Sequence, residues 1–226
     1  MRDIIYDKII PLGDRCNCTQ NLKYYGLRPI GRKFPFDWVK GGDLKSRIDV
    51  IMTDFSDFLV ADRLQQIIYA RPEQGGNYRF YDTKTKLVFA HDFPRNLSFP
   101  DGFQLAVRTF APKINRFMNV FAAKEKVLLV YMTDKHIPTR QIKQYVQMLR
   151  QKFGYNDIDM LIIENGIKTF WYLHRQNIST GITRIKTRVY LMPLHFQDTT
   201  QKQFSILDKI FKCIKVKADD TDVYVK

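Results

Sequence analysis

The chain has 226 residues, 45% of them hydrophobic and 14% aromatic, which is enough for one sizeable core and argues against disorder. No apolar run approaches the roughly 18 to 20 residues of a membrane span, and the N-terminal stretch MRDIIYDKIIPLGD carries acids and no small-residue cleavage site, so a cytoplasmic protein is expected. Three cysteines, Cys16, Cys18 and Cys213, exclude a disulfide framework, and their spacing offers no structural metal site. The net charge of +14 favours anionic partners, whether a phosphorylated small molecule, an acidic glycan, a membrane surface or non-specifically bound nucleic acid, while the motifs of sequence-specific nucleic-acid binding are absent; an anionic small molecule or glycan is the expected substrate.

Residues 4–12 (IIYDKIIPL) read as a strand with Pro11 near its end. A polar turn holding Cys16 leads into a short helix over 18–25, capped by Gly26. Residues 27–42, with three glycines, two prolines and alternating aromatics, read as a long loop of the kind that carries function. Residues 43–52 read as a helix with Asp43 as N-cap, and a second helix is expected over 54–69. Residues 78–82 and 86–90 read as a β-hairpin across DTKT, running straight into His91-Asp92.

The longest helix is expected over 104–124, with Pro112 as a kink or break. VLLVYM at 127–132 reads as a strand buried on both faces, followed by an amphipathic helix over 139–153 with Thr139 as N-cap. Further strands are expected over 159–163, 170–173 and 188–194, and a closing helix over 200–214. The alternation predicts one α/β domain over residues 1–226. Its sheet should be mostly parallel and twisted, with helices on both faces in Rossmann-like layering and a hairpin inserted around 78–91.

In such a sheet ligands bind outside the carboxyl ends of the strands. Asp14, Arg15 and Cys16 follow the first strand, His91 and Asp92 the hairpin, Asp134 the strand 127–132, Glu164 and Asn165 the strand 159–163, and His195 the strand 188–194. A cysteine at a helix start sits beside unpaired N–H groups and ionises more easily, which makes Cys16 the candidate nucleophile. His91 or His195 could serve as its base. Asp92 could orient His91 only if the chain turns there, because neighbours on an extended chain point to opposite sides; Asp14, Asp37 and Glu164 compete for that role. Asp14, Arg15, Asn17, Asp37, Trp38, Arg116 and His195 are the candidates for substrate contacts.

Leu12-Gly13-Asp14-Arg15-Cys16, Leu22, Leu27-Arg28 and Pro35-Phe36-Asp37-Trp38, followed by His91-Asp92-Phe93, Lys113 with Arg116-Phe117, and Val127-Leu128-Leu129-Val130, resemble a bacterial family of unknown function labelled papain-like cysteine peptidases. The resemblance implies Cys16 as nucleophile and His91 as base. Members look associated with surface-polysaccharide biosynthesis, which suits hydrolysis or acyl transfer in glycan or capsule assembly, with an acyl-CoA or nucleotide-sugar donor. The competing expectation is a glycosyltransferase-like or non-catalytic module that binds a nucleotide-sugar or other phosphorylated ligand. The chain departs from the family at Thr133, where an arginine is common. A papain-type enzyme also completes its site from an antiparallel barrel, whereas the periodicity predicts a layered parallel sheet.

Overall fold

The computed structural model describes residues 4–28, 31, 33–68, 76–166, 173–188, 191 and 201–217. Its chain order is β1 (Ile4–Tyr6), β2 (Lys8–Pro11), α1 (Cys16–Tyr24), β3 (Lys40–Gly41), α2 (Leu44–Met52), β4 (Leu64–Gln66), β5 (Asn77–Asp82) and β6 (Leu87–Pro94). There follow α3 (Phe99–Ala122), β7 (Val127–Thr133), α4 (Thr139–Phe153), β8 (Ile158–Asn165), β9 (Leu173–Ser179), β10 (Ile182–Thr187), α5 (Gln201–Phe211) and β11 (Ile214–Val216). The α/β expectation holds: a five-stranded sheet of order β2-β7-β8-β10-β9 is parallel except for its edge strand β9.

Every residue of β7 is buried, and successive side chains serve opposite layers. Val127, Leu129 and Tyr131 join a core with Ile48 and Ile51 of α2, Phe110, Phe117 and Phe121 of α3, and Ile142, Val146 and Leu149 of α4. Leu128, Val130 and Met132 face Cys18 and Leu22 of α1 and Leu207, Ile210 and Phe211 of α5. Helices therefore cover both faces, as the unbroken apolar run requires.

The hairpin is part of a second, antiparallel sheet of order β3-β6-β5-β4. This sheet is more than the insertion expected, because β3 and β4 come from the flanking segments. The helix expected over 54–69 does not form. Asp54, Phe55 and Leu59 take positive φ, closing α2 with Asp54 N–H on Ile51 O and Phe55 N–H on Val50 O. Phe55 and Phe58 are buried in an aromatic cluster with Phe36, Phe89, Phe110 and Phe117. Tertiary burial of those rings outweighs a helical period, and the chain proceeds as β4.

Smaller corrections have local causes. The first strand splits at Asp7, so that β1 pairs with β11 and β2 with β7. Helix α3 begins earlier than expected, where Ser98 accepts from Asp101 N–H, and it continues through Pro112. Pro138 takes the N-cap position of α4; Thr139 is its first residue. The hairpin β9–β10 was not expected, because β9 is an edge strand whose side chains are mostly exposed and carry no apolar alternation. Most of the strands expected at 170–173 and 188–194 lies outside the described residues. Among the described residues no helix is long and apolar enough to cross a membrane.

Candidate functional site

Gly13 allows the turn between β2 and α1: a Cβ there would lie 2.3 Å from Cys18 Cβ. That close approach lets α1 sit on the sheet with Cys18 fully buried, its thiol 3.4 Å from Val130 O. Cys16, two residues earlier on the helix, faces the opposite way and is half-buried at the first helical position. The N-cap, Arg15, makes no capping side-chain bond, and its guanidinium lies 2.6 Å from Asp134.

The turn is tied on two sides. Asp14 N–H reaches Met132 O, Thr133 Oγ1 donates to Asp14 Oδ2 (2.8 Å), and Gly41 N–H donates to Asp14 O (3.0 Å). On the other side, Asn17 Nδ2 donates to Leu191 O (3.0 Å), Leu191 N–H to Asn165 Oδ1 (3.3 Å), and Asn165 Nδ2 to Thr133 O (2.8 Å). The polar residues at the ends of β7 and β8 thus form a hydrogen-bonded ring around the Cys16 turn.

The loop before β3 forms the facing wall, and Asp37 holds it. Its carboxylate takes the buried Arg28 guanidinium and Phe34 N–H, and its carbonyl accepts from Thr19 Oγ1 (2.8 Å). Asp37 is 2% exposed, and this scaffolding, not a substrate contact, is the role its surroundings show. Arg116 likewise donates to Lys33 O (2.6 Å) and braces the loop from α3. The buried Arg47 bonds to Val39 O and Gly41 O from beneath.

Between the walls lies a cleft of about 900 Å³, within the usual range for ligand pockets. Cys16 lines it from the parallel sheet's carboxyl edge, and Trp38, Lys40 and His91 line it from the antiparallel sheet and its loop. The Trp38 indole meets the His91 ring edge-on, with centroids 6.1 Å apart. A cysteine at a helix start and a histidine on an antiparallel strand therefore share one opening. Among the described residues no direct hydrogen bond joins them, and catalytic bonds commonly tighten only around substrate.

The other candidates separate. Asp92 points away from His91, as strand alternation demands, and lies 4.0 Å from Lys113 Nζ; it does not orient the imidazole. Glu164 is fully buried beneath Ile137 N–H, His136 and Arg184. Asp14 and Asp37 are engaged as described, so among the described residues none of these carboxylates bonds to the His91 ring, although Asp92 lies close enough to act on it electrostatically. Asp14, Arg15, Asn17 and Trp38 line the cleft, while Asp37 and Arg116 shape its wall from behind. His195 lies outside the described residues.

Burial pushes the Cys16 thiol above its ordinary 9.0, with Lys40 and Arg47 pulling the other way. The expectation of an easily ionised thiol is therefore corrected: desolvation exceeds the pull of the neighbouring cations. Burial, reinforced by Lys40, lowers His91 from its ordinary 6.5. At neutral pH the pair rests as thiol and neutral imidazole, the forms required by general-base attack. Sequence reasoning missed Lys40, Lys86 and Lys135 on the cleft walls. Gly41-Gly42 was the available signal, since both residues take positive φ and pack against residues 85–88.

No curated protein and no solved structure matches the chain. The described family "Putative papain-like cysteine peptidase (DUF1796)" matches residues 7–164, a span that holds Cys16, the loop up to Trp38, the antiparallel sheet with His91, and β7 and β8. Because that match covers more than half of the sequence, the chain belongs to this papain-like cysteine peptidase family.

Proposed function

We propose that this protein is a cysteine-dependent enzyme of hydrolysis or acyl transfer. The observation that carries the reading is that Cys16 and His91, held by two different sheets, line one cleft. Cys16 Sγ attacks an acyl carbonyl and its proton passes to His91. The N–H groups of the first turn of α1, which lack intrahelical partners, stabilise the oxyanion. Collapse of the tetrahedral adduct breaks the bond to the leaving group, which takes the proton from His91. Water or a hydroxyl then attacks the thioester, gives its proton to His91, and restores the thiol. In this reading a glycan is the acceptor or substrate, and the basic rim of the cleft suits an anionic donor.

Intact-mass analysis after treatment with a small chloroacetamide tests the assignment. Labelling at Cys16, slowed by saturating acyl donor and by His91→Ala, is the expected result. Labelling confined to Cys213, or none at any cysteine, refutes it.

A further inference from the structure

Four cations and three carboxylates line the Cys16 cleft, and the carboxylates are already engaged. Asp134 takes Arg15, Asp43 accepts from Ser46 N–H and Oγ at the start of α2, and Asp14 accepts from Thr133. Among the described residues no carboxylate pairs with Lys40, Lys86 or Lys135. These lysines come from three separate places: β3, the β5–β6 turn and the loop after β7. Resting on the assignment of Cys16 as nucleophile, we propose that the cleft takes an acyl donor bearing phosphate on its leaving group, with Lys40, Lys86 and Lys135 receiving the phosphate oxygens.

Position supports the assignment. Lys40 acts electrostatically on both Cys16 and His91, so an anion beside it would lie next to the reacting carbonyl. Lys86 takes φ 61°, a conformation that favours glycine or asparagine, so the turn itself does not call for lysine. Its amine reaches Thr83 O (2.6 Å) and stands 5.4 Å from the Tyr81 ring centre, and it lines the same cleft as Lys135. Lysines act as point charges on phosphate without the planar geometry that arginine imposes, and three of them spread over separate walls suit more than one phosphate. In the step itself, the Cys16 Sγ–acyl bond forms and the bond from acyl to leaving group breaks. The thiol proton travels through His91 to the phosphorylated leaving group, with no change in oxidation state.

The test compares acylation of Cys16, read by intact mass, by acetyl phosphate, whose phosphate adjoins the acyl carbonyl, and by phenyl acetate, which lacks phosphate, each rate taken relative to that with free N-acetylcysteine. The wild type should prefer the phosphorylated donor, and the preference should shrink as salt rises. Lys86→Asn, chosen because asparagine accepts the left-handed backbone, and Lys135→Ala should each lower the ratio of the two rates by about tenfold, the loss expected for one charge-assisted hydrogen bond. Their thermal midpoints identify any loss that comes from unfolding. Equal relative rates with the two donors in the wild type overturn the proposal while leaving Cys16 as nucleophile. A preference that survives both substitutions also overturns it. So does protection of Cys16 by an acidic polysaccharide with none by inorganic pyrophosphate. Failure of both acetyl donors and of the chloroacetamide to label Cys16 refutes the underlying cysteine assignment instead.

Discussion

Replacing Gly13 by alanine tests the packing that presents Cys16. The added Cβ would stand 2.3 Å from Cys18 Cβ and 3.1 Å from its sulfur, whereas ordinary contact begins near 3.4 Å. Both carbons are fixed by backbone, so no side-chain rotation relieves the clash, and α1 must lift from the sheet by about 1 Å. Overpacking of this kind costs about 1 to 3 kcal/mol, which for a chain of this size lowers the melting midpoint by about 2 to 4 °C per kcal/mol. Calorimetry on the wild type, Gly13→Ala, Cys18→Ala, Cys18→Gly and the two double variants measures it. Cys18→Ala keeps the offending Cβ and should not rescue Gly13→Ala. Cys18→Gly removes it and should rescue, net of about 1 kcal/mol for glycine in a helix. The double-mutant cycle should therefore show coupling with glycine and little with alanine. A Gly13→Ala midpoint within about 1 °C of wild type, or equal rescue by both Cys18 variants, would refute the reasoning.

Further outcomes follow from the same geometry. Because the lowered His91 must be neutral and the raised Cys16 must keep its proton until attack, kcat/KM should climb through a midpoint below 6.5 and fall only above 9.0; a single rise near the ordinary thiol value would contradict the general-base pairing. Asp37→Asn withdraws the carboxylate from buried Arg28 and should cost about 3 to 5 kcal/mol in urea unfolding; Arg28→Met/Asp37→Leu should recover much of that. Asn165→Ala breaks the ring at two buried bonds, costing about 1 to 3 kcal/mol. It should also slow chloroacetamide labelling of Cys16, an effect that a remote structural residue would not show. Asp92→Asn should lower the pH midpoint of His91 further, because the Asp92 charge opposes the burial that holds it down, and an unchanged or raised midpoint by NMR titration would contradict that sign.

The residues that declare their surroundings locally were legible in the sequence. VLLVYM reads as a doubly covered strand because a buried parallel strand must be apolar on both faces, and Asp43 and Gly26 mark helix ends through their own backbone chemistry, a side-chain cap and a left-handed φ of 64°. Cys16 was legible as part of the turn after the first strand, but the helix expected from Cys18 begins at Cys16 itself. The failed helix over 54–69 shows the limit: Phe55 and Phe58 carry a helical spacing, yet partners from α3 and β6 claim their rings. The edge strand β9 carried no pattern because exposed side chains leave none.

Which polar residues meet depends on how distant segments pack. Local residue patterns alone indicate the layered parallel sheet, a cysteine turn at its carboxyl edge, a hairpin bearing His91 and an excess of positive charge, and no pattern of that range goes further. The sequence could not determine that the hairpin joins a second sheet whose wall faces Cys16, or that Asp37 is spent on Arg28 and Asp92 on Lys113. Nor could it show that Lys40, Lys86 and Lys135 line one cleft. Secondary structure follows from interactions within a few residues, whereas a cleft depends on contacts between segments far apart in sequence, and no short-range pattern records those.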